Sequence, residues 1–320
     1  MIRFLAGRTA GAVVTIFIKS FVIFALIGLM PGDPLDLLAQ ANPEATPESI
    51  ATLRSIYGVD QPLGLRYWNW LMSALHGDFG FSRIQHRPVL DVVIPALGNT
   101  LVLTGIAFAI SVVVAIFLGT IAATRKGSWL DRGINLVAYA GISVPSFWLA
   151  LVLIYIFAVR LGWMPAGGMP HPGDGARDWI SHLTMPVAAL VMVEIGGLTR
   201  YARAAMLDVL GQDYIRTARA KGITNSRMLF RHALRNAMIP VVTIVALGFG
   251  HLFSGALLIE NMFAWRGMGR LILEAIMGND YNLALVCLLV TTAMILFGSI
   301  LADLAYTWLD PRISLGGRRR

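Results

Sequence analysis

Cysteine is nearly absent from this chain: Cys287 is the single thiol in 320 residues. That excludes an intrachain disulfide and a cysteine-built metal cage. Set inside an apolar run, Cys287 reads as a small buried packing residue. Charge is scarce as well, at 14% of residues against 57% hydrophobic ones. Too little polar side chain is left to cover a soluble domain. With a mean hydropathy of +0.69, these proportions point to a membrane. Catalytic signatures are missing too. There is no G-x-x-x-x-G-K-S/T phosphate loop; GTIAATRKG at 119–127 has glycine at both ends but not the spacing. There is no HExxH, and no Ser/His/Asp arrangement falls on one face. The six histidines, at 76, 86, 171, 182, 232 and 251, are scattered, and His251 reads as a packing residue, not a metal ligand.

Long apolar runs are what the chain does have. A bilayer core of roughly 30 Å takes about 20 helical residues. Six runs qualify, at about 9–30, 99–123, 133–159, 184–203, 238–259 and 283–308. The first is followed by MPGDPLDLL, without a small-x-small cleavage site, and reads as a retained anchor helix. The formal charge of +8 could indicate nucleic acid, but its distribution argues otherwise. With both termini cytoplasmic, inner segments hold 17 basic residues and outer segments 8, the bias expected of an inserted protein. The expectation is an all-α integral membrane protein with six transmembrane helices.

Three segments divide the chain. Residues 1–98 hold the anchor helix and an extracytoplasmic subdomain. In it, TPESIATLRSIYG and LRYWNWLMSALHG read as short amphipathic helices, with Trp68 and Trp70 suited to an interface. GDFGFS follows as a short extended piece. Residues 99–310 form a five-helix core, and 311–320 a basic cytoplasmic tail. In the third run Pro145 removes a backbone donor and kinks the helix, and Ser143 and Ser146 can satisfy the freed groups. Ser143, Pro145, Ser146, Glu194 and Ser254 are candidates for lining a pathway. Glu194, a carboxylate inside the fourth run, either faces that path or makes an internal pair. Asp303 reads as a polar contact at the inner boundary, and Lys19 has no partner identifiable from sequence.

The densest basic stretch, DYIRTARAKGITNSRMLFRHALRNAMIP, lies between two apolar runs. The fourth helix runs out of the membrane through TRYARAAMLDVL. Asp213 to Lys221 then form a helix with Ala218 and Ala220 as small residues that permit close approach. Gly222 suits a left-handed helix end. Thr224 or Asn225 can cap a second helix through MLFRHALRNAM to Pro240. A helix, a glycine turn and a helix outside the membrane, ringed with basic side chains, can grip a soluble partner.

This stretch resembles the EAA loop of ABC-importer permeases, whose pattern is Glu-Ala-Ala, three residues, Gly, nine residues, then Ile-x-Leu-Pro. Arg216-Thr217-Ala218 stands at the triplet, Gly222 at the glycine and His232-Ala233-Leu234-Arg235 at the last four. The wording is similar to the dipeptide/oligopeptide/nickel class. So are PGDP at 31–34, GDFGFS at 77–82, SVPSFWLAL at 143–151, LGWMPAGG at 161–168 and LDPRI at 309–313, which spread the likeness over nearly the whole chain. WRGMG at 265–269 departs from that class's WPGLG, with Arg266 in place of proline.

The resemblance implies a type I ABC importer permease fold in a bacterial inner membrane. It implies a heterodimer with a homologous second permease, of which this chain is the first, two ABC ATPase subunits and an extracytoplasmic substrate-binding protein. Lipid is the remaining partner and nucleic acid is not one. No cofactor binds this chain, while ATP and Mg bind the ATPases; the chain itself is no enzyme. The coupling loop, 204–237, implies contact roles for Asp213, Tyr214, Arg216, Thr217, Ala218, Arg219, Ala220, Lys221, Gly222, Arg231, His232, Leu234 and Asn236. Di- or oligopeptides are the implied solutes. An ion- or proton-coupled secondary transporter is the alternative reading, and a membrane-embedded enzyme ranks below both.

Overall fold

A computed structural model describes residues 2–28, 61–171, 173–249 and 257–309. PGDP, the TPESIATLRSIYG helix, Ser254 and the basic tail lie outside them. Among the described residues the regular structure is helical apart from one two-stranded ribbon. Helix α1 (Ile2–Gly28) is a long apolar rod with few buried positions. Helix α2 (Leu63–Leu75) packs its aromatic face on it. Tyr67 is buried among the rings of Phe17, Phe21 and Phe24, and its hydroxyl shares a 2.6 Å hydrogen bond with Ser20. Trp68 stays exposed, as an interfacial residue can. GDFGFS contributes strand β1 (Phe81–Ser82), paired antiparallel with β2 (Arg87–Pro88).

Helix α3 (Val89–Thr124) begins ten residues before the apolar run it contains, because Val89, Val93 and Ala96 are buried against the last third of the chain. Its 36 residues measure about 54 Å, more than a bilayer core needs. The third run is a broken helix rather than a kinked one. Helices α4 (Trp129–Ser143) and α5 (Ser146–Leu153, continued by a wide π-helical segment, Ile154–Arg160) meet at 103°. Val144 precedes a proline and adopts extended backbone, φ −87° and ψ 124°, so the helix stops and restarts. The Ser143 hydroxyl bonds back to the carbonyl of Tyr139.

Helix α6 (Ala176–Leu210) is the central rod, packed along α3 and α4. Small residues permit this. A Cβ on Gly119 would lie 2.8 Å from the backbone nitrogen of Arg203, and one on Gly196 would lie 2.2 Å from the carbonyl oxygen of Ala138. Gly196→Leu should therefore force α4 from α6, with an overpacking cost of about 1–3 kcal/mol. At neighbouring Gly197 an added Cβ meets nothing within 4 Å. Thermal unfolding of the purified protein should separate the two, Gly197→Leu staying near wild type.

Helices α7 (Asp213–Ala220) and α8 (Asn225–Arg227) follow, with a π-helical segment, Met228–Leu234, leading into α9 (Arg235–Phe249). Then come α10 (Leu257–Met262), α11 (Met268–Met277) and α12 (Tyr281–Leu309). Among the described residues four helices, α1, α3, α6 and α12, are long and apolar enough to cross a bilayer, and the α4–α5 pair makes a fifth span if it counts as one. Of the fifth expected run, residues 238–249 lie in α9, itself 15 residues long, and 257–259 open α10.

The two ends of the molecule differ. At one end the start of α12 holds the ribbon: Ser82 donates to Asp280 at 2.6 Å, and the Ile84 amide donates to the same carboxylate at 3.0 Å. At the other end Arg8 of α1 pairs with Asp303 of α12 at 2.5 Å, the boundary contact expected for Asp303. Lys19 is exposed on α1.

Candidate functional site

The expected coupling segment sits at the end of the molecule that carries Arg8 and Asp303. Its conformation follows from two residues. Gly222 has φ +76°, a left-handed value that costs an L residue roughly 1–2 kcal/mol. Around it the Ile223 amide donates to the carbonyl of Ala218 at 3.3 Å and the Gly222 amide to that of Arg219 at 3.0 Å. These are the two bonds of a Schellman ending, and Ile223 completes it by packing into the cluster below. The second residue is Ile215. It is fully buried in a cluster with Met206 and Ala202 of α6, Ala123 at the end of α3, and Met228 and Ala233; Ala218, on the same helix, is buried too.

The outer face is basic. Arg216, Arg219, Lys221 and Arg231 are exposed, with Asp213, Tyr214, Thr217, Ala220, Gly222 and Asn236 among them. His232 and Leu234 are half-buried. The Asp213–Arg216 pair, 3.4 Å apart and solvated, adds little stability. The two small residues divide: Ala220 faces out, whereas Ala218 faces the chain's own core. Thr224 sits at the N-cap position of α8 without a side-chain capping bond. Pro240 lies inside α9, so the π-helical segment passes into the fifth run without a break. A cleft of 630 Å³ opens beside α7, lined in part by Lys126, Leu210, Arg219 and Phe230, whose ring is 65% exposed.

One structure that sequence reasoning missed stands directly behind this segment. The Asp131 carboxylate, at the start of α4, receives a bidentate fork from Arg203 of α6, Nε to Oδ1 at 2.7 Å and a terminal nitrogen to Oδ2 at 2.8 Å. The Gly127 amide at 2.9 Å and the Asn135 side chain at 2.8 Å complete its coordination. One turn back on α6, the Arg200 guanidinium lies 4.8 Å from the centre of the Tyr139 ring. The clamp ties α4 to α6 ten residues before α7 begins. The only local signal was Ser128, three residues ahead of Asp131, whose hydroxyl accepts the Asp131 amide and caps α4. Nothing in the spacing pointed to Arg203, 72 positions away.

Four of the five pathway candidates lie among the described residues, around the α4–α5 break and on α6. Ser143, Pro145 and Ser146 flank the break between α4 and α5. Glu194 lies on α6 beside Ser111 of α3, with Oε2 unpartnered among the described residues. A fully buried carboxylate that the sequence did not single out, Glu260 of α10, is instead saturated. It accepts from Thr100 at 2.7 Å and from the amides of Gly269 at 2.7 Å and Arg270 at 3.2 Å. His/Cys/Asp/Glu clusters able to hold a metal do not occur among the described residues.

Comparison with known proteins completes the picture. Residues 115–315 match the family described as binding-protein-dependent transport system inner membrane component, and residues 1–104 match its N-terminal companion. A putative peptide transport system permease of Brucella abortus is 37% identical over 313 residues, 98% of this chain and 99% of that one. The Bacillus subtilis oligopeptide transport system permease AppB is 34% identical over 316 residues, with 98% and 99% covered. The glutathione transport system permease GsiC of Escherichia coli O1:K1 is 36% identical over 313 residues, with the same coverage. Among solved structures, an amino acid ABC transporter chain superposes with a TM-score of 0.51 at 18% identity, covering 67% of this chain and 92% of that one, which shows a shared fold. The family description implies a substrate-binding protein and an energising ATPase as partners in general. The chain belongs to the binding-protein-dependent transport system inner membrane component family and is a multi-pass permease subunit of an ABC transporter.

Proposed function

We propose that this chain, paired with a homologous second permease, forms half of the translocation pathway of an ATP-driven importer for di- or oligopeptides. One observation carries the coupling assignment: α7 is anchored from beneath by Ile215 and Ala218 while its upper face presents Arg216, Arg219 and Lys221. A helix seated on the ends of α3 and α6 transmits a push, and a basic face beside a 630 Å³ cleft suits an acidic, knobbed partner. Two ATPase subunits fit this role, with ATP and Mg bound on them. A binding protein delivers solute at the opposite end, outside the membrane. The basic bias of the sequence supports a cytoplasmic position for α7 and both termini. The peptide assignment rests on the peptide and oligopeptide permeases among the relatives.

Glu194 favours the ion-coupled alternative to the extent that an intramembrane carboxylate with a free oxygen can carry a proton. The two readings separate in cells. Labelled trialanine should stop accumulating when the ATPase subunits are deleted. It should persist when an uncoupler is added with ATP held constant. Uptake that survives the deletion and collapses with the uncoupler would reverse the assignment.

A further inference from the structure

A second concave site lies at the end of the molecule away from α7. It is a pocket of 400 Å³ between the start of α3 and the start of α11. Val92, Ala96 and Leu271 supply apolar wall, and Arg87, Arg266 and Arg270 supply positive charge, with Asp91 and Glu274 beside them. The Nε of Arg270 is bonded to Glu274 at 2.7 Å, so that pair is internally neutralised. Among the described lining residues Arg87 and Arg266 face one further carboxylate, Asp91, and no ion pair joins these three. Both arginines are exposed.

The loop bearing Arg266 is held in place on every side. Trp265 is fully buried and its Nε1 donates to the Asn99 carbonyl at 3.0 Å. The Asn99 side chain donates in turn to the Arg266 carbonyl at 2.8 Å. The Met268 amide donates to Thr100 at 2.7 Å, and Thr100 donates to Glu260. A Cβ on Gly267 would stand 2.3 Å from a Glu260 oxygen, so only glycine fits there. Glu260 also occupies the amides of Gly269 and Arg270, which takes the N-terminus of α11 out of play as an anion site. What the rigid loop leaves available is the guanidinium of Arg266, where the resembled class has proline. A guanidinium is a planar fork matched to carboxylates, and a backbone already held adds no ordering cost of its own. A pocket with an apolar wall and convergent cations suits a small solute better than a flat protein surface.

We propose that this pocket is a carboxylate subsite for the transported solute, with Arg266 and Arg87 taking the carboxylate and the Val92–Leu271 wall taking the adjoining apolar group. The choice of solute rests on the peptide reading above; the anion preference does not. The test is calorimetric titration of the purified permease–ATPase complex, without binding protein, using trialanine, trialanine amide and glutarate. Wild type should bind trialanine about tenfold more tightly than its amide, the loss expected for one charge-assisted hydrogen bond. Arg266→Gln and Arg87→Gln, both exposed and expected to unfold at the wild-type temperature, should each erase most of that preference. Equal binding of acid and amide by wild type, or a preference that survives both substitutions, overturns the subsite. So does an Arg266→Gln variant that loses only its capture of the binding protein, which would make the patch a docking surface. Glutarate bound with the same arginine dependence, in a system whose cells take up no trialanine, would keep the subsite and reject the peptide reading. Trialanine uptake without any carboxylate preference in the complex would do the reverse.

Discussion

Arg203→Leu should destabilise the purified protein by about 3–5 kcal/mol, the largest loss expected from a single substitution here. The size comes from what is left behind. The Asp131 side chain is only 6% exposed, and both its oxygens are aligned on Arg203. Removing the guanidinium leaves a buried carboxylate with one amide and one Asn135 donor. Asp131→Asn should cost less, because the cation it leaves behind, Arg203, is 24% exposed and can be solvated, while the Gly127 amide keeps an acceptor. Denaturant unfolding in mild detergent would order the two variants. A loss under about 1 kcal/mol for Arg203→Leu, the range of a solvated surface pair, would show that water reaches the clamp. The clamp should also matter for coupling, since it joins α4 to α6 just ahead of α7.

Ile215→Ala should cost about 2–5 kcal/mol, the range for truncating a fully buried aliphatic side chain. The position matters more than the magnitude. Ile215 is the fully buried side chain of α7 and belongs to the cluster that also holds Ala123, Ala202, Met206 and Met228, so the cavity forms under α7. Amide exchange should accelerate across residues 213–223 while the ladder of α3 stays protected. Tyr214→Ala, one position along and on the exposed face, should leave exchange unchanged and is the matching control. Uniform acceleration in the Ile215 variant would mean that α7 unfolds only with the whole molecule.

What was legible in the sequence depended on the range of the interaction. The apolar runs forecast α1, α3, α6 and α12 because hydropathy is a local property. Gly222 forecast the turn after α7, since a left-handed residue is a local requirement. Pro145 forecast a kink, whereas the extended backbone of Val144 before it breaks the helix and turns the chain by 103°. The first ten residues of α3 were read as part of an external subdomain because they lie before the apolar run. Their burial comes from Met268 and Leu283, nearly 200 positions away. The same distance hid the clamp. Sequence placed Ala218 on the coupling segment but could not say which way it faced. Its burial makes it a support for α7, while Arg216 and Arg219 present the outer surface. Glu194 drew notice because it interrupts an apolar run; Glu260, at a run's edge, is the more deeply buried acid and holds the far end of the molecule together.

The most direct measurement is a pull-down of this chain from gently solubilised native membranes, beside an Arg216→Glu, Arg219→Glu variant, with mass spectrometry of the bound proteins. The expected result is a second homologous permease with both baits, and P-loop ATPases with wild type alone. ATPases recovered equally with the variant, or a wild-type chain that comes alone even after mild cross-linking, would contradict the assignment of α7 as the coupling helix.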